Sequence, residues 1–170
     1  MIVAETERLI ISKFTTRDAA FFKALVNSPS WLKYIGDRNI NTIEQAENKI
    51  KESHLKSYKT SGYGFYKLLL KTENLKPIGT TGLIKRPELE HTDIGFSLLP
   101  EYEGKGFGFE SAKAVMVLAK EEFKLNKICA ITLENNKKSI ALIEKLGLTF
   151  DKKVKPFEND KELMLFSKNL

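Results

Sequence analysis

The chain has 170 residues, enough for one domain with a sizeable core, and its 42% hydrophobic and 29% charged content is ordinary for a globular protein. Its 28 basic and 22 acidic residues leave a formal charge of +6, which would favour a polyanionic partner such as nucleic acid, an acidic protein or a phosphorylated cofactor, but there is no Arg-rich arm or aromatic-plus-basic motif, and a solvated basic surface is the plainer reading. A lone cysteine (Cys129) excludes an internal disulfide, no apolar run approaches the roughly 20 residues of a membrane span, and the polar start through Glu5, Thr6, Glu7 and Arg8 does not read as a signal peptide. The expected location is cytoplasmic.

In chain order, Arg8–Phe14 alternates and is rich in Ile, as a first strand is. Thr15 or Thr16 caps a helix that runs to about Asn27, before Pro29, and a short helical piece over 30–35 ends at Gly36. Thr42-Ile43-Glu44-Gln45 is a capping box that starts a helix reaching about Tyr58. The period then changes. GFYKLLLK from Gly64, PIGTTGLIK from Pro77 and TDIGFSLL from Thr92 read as an antiparallel meander. Residues 106–123 form a helix, because Ala112, Val115, Met116, Ala119 and Phe123 share one face. A buried strand over 127–133 follows, then a helix over 136–146 closed by Gly147, then two strands, 148–155 and 162–167, joined as a hairpin. No linker or repeat divides the chain, so it reads as one domain over 1–170. The order β-α-α-β-β-β-α-β-α-β-β implies an α/β (α+β) fold: a mixed, mostly antiparallel sheet with helices on both faces.

The most informative segment follows the strand that ends at Pro100. Gly104, Gly106 and Gly108 alternate, and an amphipathic helix begins at once. Glycine allows close backbone approach and the positive φ that turns successive N–H groups inward, and the helix N-terminus adds free donors and a positive dipole end. The result is a cradle for a pyrophosphate, with Lys105 as a charge partner. A glycine-rich turn of no function is the bland alternative. The spacing is neither G-x-G-x-x-G nor G-K-Ser/Thr, so dinucleotide and nucleotide-hydrolysis loops are set aside.

Glu103-x-x-Gly106-x-Gly108 resembles the Q/R-x-x-G-x-G/A signature of GNAT acetyltransferases, with Glu103 standing where Gln or Arg is usual. Asp93-Ile94-Gly95-Phe96-Ser97-Leu98-Leu99-Pro100 and the run from Asn136 through Ser139 to Glu144-Lys145-Leu146-Gly147 resemble the RimJ/RimL-like branch of that superfamily. The resemblance covers most of the chain and implies an N-acetyltransferase whose co-substrate is acetyl-CoA. It implies that the backbone of Glu103, Gly104, Lys105, Gly106, Phe107, Gly108 and Phe109 holds the pyrophosphate. Leu98 and Leu99 would meet the pantetheine and the acyl oxygen, and Asn136 would cap its helix, touch pantetheine, or both. The acetyl group would pass directly to a primary amine, a protein N-terminus or a small molecule, in a ternary complex.

Such a transfer needs a base for the amine, donors for the oxyanion and a proton for the departing thiolate. Asp93 is the first candidate base, since alternation sets it on one face with the side-chain-free Gly95. Its bland reading is a carboxylate paired with a lysine. Glu162, at the start of the last strand, is the second candidate. Ser139 is the family-matched acid, or a residue that merely finishes a helix N-terminus. Cys129 reads as a buried, inert thiol. Trp31, Tyr34 and Asp37 are candidates for the acceptor pocket, the two aromatics being equally readable as core. His54 and His91 are isolated, and no metal is implied. Two rival functions stand beside the enzyme: a catalytically silent CoA-binding regulatory module and a basic nucleic-acid-binding domain. The protein is expected as a monomer or homodimer.

Overall fold

The computed structural model describes residues 1–170. Its strands are β1 (Ile2–Glu5), β2 (Leu9–Lys13), β3 (Phe65–Leu70), β4 (Lys76–Ile84), β5 (Thr92–Leu98), β6 (Lys127–Thr132), β7 (Thr149–Val154) and β8 (Leu163–Asn169). Its helices are α1 (Ala19–Val26), α2 (Pro29–Tyr34), α3 (Ile43–Lys49), α4 (Lys56–Thr60), α5 (Phe107–Glu121) and α6 (Lys137–Lys145). Strand β1 has no sequence expectation behind it, because four residues are too few to show a period. The capping box forms at α3: the Thr42 hydroxyl accepts from the Gln45 N–H, and the Gln45 carbonyl accepts from the Thr42 N–H, each at 3.1 Å. The helical run continues past Tyr58 to Thr60, but a π-helical turn over Ile50–Leu55 interrupts it. That widening rotates the side chains that follow it.

All eight strands join one sheet in the order β1-β2-β3-β4-β5-β6-β8-β7. Every pair is antiparallel except β5 with β6. The β7–β8 hairpin forms as the sequence suggests, but β8 inserts between β6 and β7, so the chain's last strand is an interior one. No helix is long and apolar enough to cross a membrane.

Alternation explains how the sheet is covered. Tyr66, Leu68 and Leu70 of β3 are buried in the main core with Leu9 and Ile11 of β2, against Ala112, Val115 and Ala119 of α5. Lys67 projects to the other face and reaches Asp18, just before α1, at 2.8 Å. A second cluster joins Phe14, Ala19, Phe22 and Val26 to Ala46 and Ile50, fixing α1 against α3. In β4 the residues Ile78 to Leu83 are all buried, so this strand is covered on both faces. Each large apolar side chain buried in this way contributes about 1.5–3 kcal/mol.

The feature that positions the site is a short ladder. Strands β5 and β6 pair only through Thr92 with Ile128 and Asp93 with Cys129, and then part. The rest of both strands carries an interior edge without a neighbour.

Candidate active site

The glycine loop forms the helix entry that its sequence implies. Gly104 and Gly106 have φ of +72° and +84°, and Gly106 is the N-cap of α5. Gly108 serves a different purpose. Its φ is not positive, and a Cβ there would come within 2.8 Å of Leu142 on α6, so its role is close helix packing. Residues 104–106 are exposed, while Phe107 and Gly108 are buried behind them.

Side chains from far along the chain hold this loop. Glu110 in the first turn of α5 accepts from the Thr6 hydroxyl at 2.5 Å, the Arg8 N–H at 2.9 Å and Arg8 Nε at 2.6 Å. Arg8 in turn donates to the Lys105 carbonyl at 2.9 Å and lies 4.3 Å from the centre of the Phe107 ring. Partial burial pushes the Glu110 carboxyl up, but the donors from Thr6 and Arg8 outweigh it and hold the group below its usual range. Glu110 thereby ties the start of α5 to the segment between β1 and β2. Glu103 accepts from Ser30 of α2 at 2.7 Å, tying the loop to that helix as well. The sequence gives no local signal for these links, since Arg8 and Glu110 are 102 residues apart.

The gap between β5 and β6 opens beyond this loop. The Leu99 N–H is already committed to the Ile78 carbonyl at 2.8 Å. In an antiparallel ladder, bonded and non-bonded pairs alternate. With Leu98 opposite Gly79 and Phe96 opposite Thr81, the N–H groups of Phe96 and Leu98 face away from β4, into the gap. The N–H groups of Leu98 and Phe96 are thus unpaired in the ladder, while that of Leu99 is bonded to β4.

A cavity of about 400 Å³ occupies the gap and extends under α1–α3 to the loop between β7 and β8. Asp93, Asn136 and Ser139 all line it, as do Trp31 and Tyr34. Asp93 is 4% exposed and pairs with Arg86 Nε at 2.9 Å. Burial raises its pKa to about 6, against the opposing pull of Arg86 and of the Ile131 backbone. Its partner is thus an arginine, not a lysine. Arg86 could have been found from the hairpin: Ile84 lies opposite Asp93, so a residue two places further on folds back beside it. The space beside Gly95 is not open, since the Phe65 ring fills it and a Cβ would meet that ring at 2.8 Å.

Asn136 is the N-cap of α6, its side-chain oxygen accepting from the Ser139 N–H at 3.3 Å. The Ser139 hydroxyl makes no hydrogen bond within the protein and is free for a ligand. Two candidates lie apart from these residues. Glu162 is half exposed in a shallow groove with Glu134 and Lys137, paired with Lys153 at 3.5 Å. Asp37 is exposed and accepts from the Asn39 N–H at 2.8 Å, shaping its own turn, while the next residue, Arg38, lines the cavity. Cys129 is buried, donates to the His91 carbonyl, and has its pKa raised to about 12 by burial and the nearby Asp93 charge, so it stays a thiol. No cluster of three or more His, Cys, Asp or Glu side chains could hold a metal ion.

Comparison with known proteins agrees with this geometry. Residues 8–149 match the family described as an acetyltransferase (GNAT) domain. An uncharacterized N-acetyltransferase of Bacillus subtilis strain 168, YoaA, is 27% identical over 146 residues, which is 85% of this chain and 81% of that protein. Among solved structures, the ribosomal-protein-S5-alanine acetyltransferase of Vibrio fischeri superposes with a TM-score of 0.83 at 20% identity, covering 99% of this chain and 97% of its own. RimL, a ribosomal L7/L12 α-N-protein acetyltransferase solved with coenzyme A, gives 0.80 at 16% identity, covering 100% and 98%. At such identities these two likenesses speak for the fold.

Proposed function

The chain belongs to the GNAT acetyltransferase family, and from that premise we propose that it is an N-acetyltransferase that moves the acetyl group of acetyl-CoA directly to a primary amine within a ternary complex. The observation that carries the reading is the parted β5–β6 ladder: it brings Asp93, Ser139 and free backbone donors to one cavity beside an exposed glycine cradle. The cradle fits a pyrophosphate. Gly104 and Gly106 present backbone without a Cβ, and the α5 N-terminus stands behind them.

When bound, acetyl-CoA supplies a thioester, an acyl group activated towards amines. The protein's part is placement and proton handling. Asp93, buried and mostly ionised at pH 7, takes the proton of the acceptor ammonium directly or through a water. Arg86 keeps that carboxylate in place and in its charged form. The Phe96 and Leu98 N–H groups are aimed at the side of the gap where charge builds on the acyl oxygen. As the N–C bond forms and the C–S bond breaks, the extra proton on the new amide nitrogen passes to the departing sulfur, with the Ser139 hydroxyl hydrogen-bonded to that sulfur as the relay, and the proton taken by Asp93 returns to solvent. The buried, protonated Cys129 has no part in this, and no covalent acyl-enzyme is needed.

Calorimetric titration of acetyl-CoA, with NADPH as control, tests the reading. Micromolar binding of acetyl-CoA alone, with thiol release once an amine is added, is the expected result. Tight binding without transfer to any amine would leave a CoA-binding module instead.

A further inference from the structure

The cavity carries a charge imbalance that acetyl transfer does not use. Four cations line it, Arg38, Lys49, Arg86 and Lys161, against the single carboxylate of Asp93. Arg86 is taken by Asp93, while Arg38, Lys49 and Lys161 form no ion pair. Burial lowers the pKa of Arg38, and the like charge of Arg86 lowers it further. Arg38, Lys49 and Lys161 are exposed where they line the cavity and Arg86 is partly buried; the like charges repel, and an anion entering the cavity meets a field of one sign. The turn that presents Arg38 is an ordered one, with Gly36 at φ +111°, Asn39 at φ +56° and the Asp37–Asn39 hydrogen bond across it.

The neighbours add no counter-charge. His54, buried 4.5 Å from the Phe14 ring centre, has its pKa lowered by burial to about 4 and is neutral at pH 7. The Trp31 indole N–H in the same wall is buried without a hydrogen-bond partner. Nor do the phosphates of coenzyme A explain the excess, since no glycine of the cradle lines this cavity. The loop between β7 and β8 closes the cationic end, with Phe157 5.3 Å from the Arg86 guanidinium and Lys161 four residues later.

Resting on the acetyltransferase reading, we propose that the acceptor is a small primary amine that also carries a carboxylate or a phosphate, the anion held by Arg38 and its cationic neighbours and the amine turned to Asp93. A polyamine meets repulsion in this wall. A neutral amine gains nothing from these exposed cations.

The test uses matched amines: β-alanine against β-alaninamide, and 2-aminoethyl phosphate against ethanolamine. Each is measured by thiol release and by calorimetry, on the wild type and the Arg38→Gln and Arg38→Lys variants. The anionic member of at least one pair should bind about tenfold or more tightly than its neutral partner, and the two pairs separate carboxylate from phosphate. Arg38→Gln should raise KM for the anionic amine by a similar factor, with acetyl-CoA affinity and kcat unchanged, and Arg38→Lys should keep most of the preference. Equal affinity within both pairs, failure of both anionic amines to bind, or a preference that survives Arg38→Gln combined with Lys161→Gln overturns the proposal. Failure of acetyl-CoA to bind removes the transferase reading by itself. Binding of 2-aminoethyl phosphate to Gly106→Glu, where the cradle cannot answer for the phosphate, then still decides the anion site.

Discussion

The glycine loop would take its ligand-facing groups from a few consecutive residues, Glu103 to Phe109, while the cavity takes its charge from segments far apart: Arg38, Lys49, Arg86 with Asp93, and Lys161. Donors in the first are backbone N–H groups, and any sequence that permits the turn supplies them. Those in the second are side chains, and their meaning depends on what the fold sets opposite each one. A cradle of the first kind announces a ligand class from sequence alone. A wall of the second kind would hold the identity of the acceptor, and its residues meet only where α1–α3 cover the sheet and the β7–β8 loop reaches Arg86.

The sharpest break of that contrast is at Gly106. A glutamate there combines a strained left-handed φ with a carboxylate set against phosphate, so acetyl-CoA affinity should fall by a factor on the order of 100 or more. Calorimetry reads it, and retained tight binding would mean that the loop backbone is not the cradle. Asp93→Asn should act on the opposite side, lowering kcat roughly 10²–10⁴-fold with little change in acetyl-CoA affinity. Equal losses in both would erase the division between cradle and cavity.

The same residue sets a pH signature. Asp93 must be ionised to act as base, so wild-type kcat/KM should rise through about pH 6 and level above it, and this limb should vanish in Asp93→Asn. Stability runs the other way. The folded-state pKa lies above the ordinary carboxylate value, so ionising Asp93 between about pH 4 and 6 costs folding free energy. The thermal midpoint of the wild type should therefore fall, relative to Asp93→Asn, across that window. Taking the difference between the two proteins removes the opposite slope contributed by His54.

A smaller effect sharpens the contrast by testing what the loop borrows from distant residues. Glu110→Ala releases Thr6 and Arg8, and because Arg8 is more than a third exposed the pair is worth only about 1 kcal/mol. A several-fold loss of acetyl-CoA affinity with unchanged amine KM is expected, and an unchanged affinity would show the loop to be self-supporting. Smallest is Ser139→Ala. It should cost about tenfold or less in kcat and leave acetyl-CoA affinity alone, since Asn136 still caps the α6 backbone. Equal losses in kcat and affinity would assign Ser139 to capping or binding.

Much of the fold was legible because its signals are local. The Thr42–Gln45 box, the Gly147 stop and the alternation in Gly64–Lys71 each specify their own neighbourhood. What escaped was whatever depends on partners. The position of β8 between β6 and β7 is a pairing choice that no period encodes. The π-helical turn, which carries the buried His54, has no local sequence signal, and β1 is held by its neighbour β2. The site divides in the same way. Gly106, Asn136 and Asp93 are candidates by spacing, alternation and the family resemblance, whereas the Arg8–Glu110 link and the approach of Arg38 to Arg86 exist only in three dimensions.

The short β5–β6 ladder has one more consequence. A sheet interrupted in its middle is an unfinished one, and an extended molecule with amide groups of its own, laid between the strands, completes it as a missing strand would. If acetyl-CoA is that molecule, as proposed above, a free concentration 100 times its Kd would add about 2.7 kcal/mol to the stability of the folded protein.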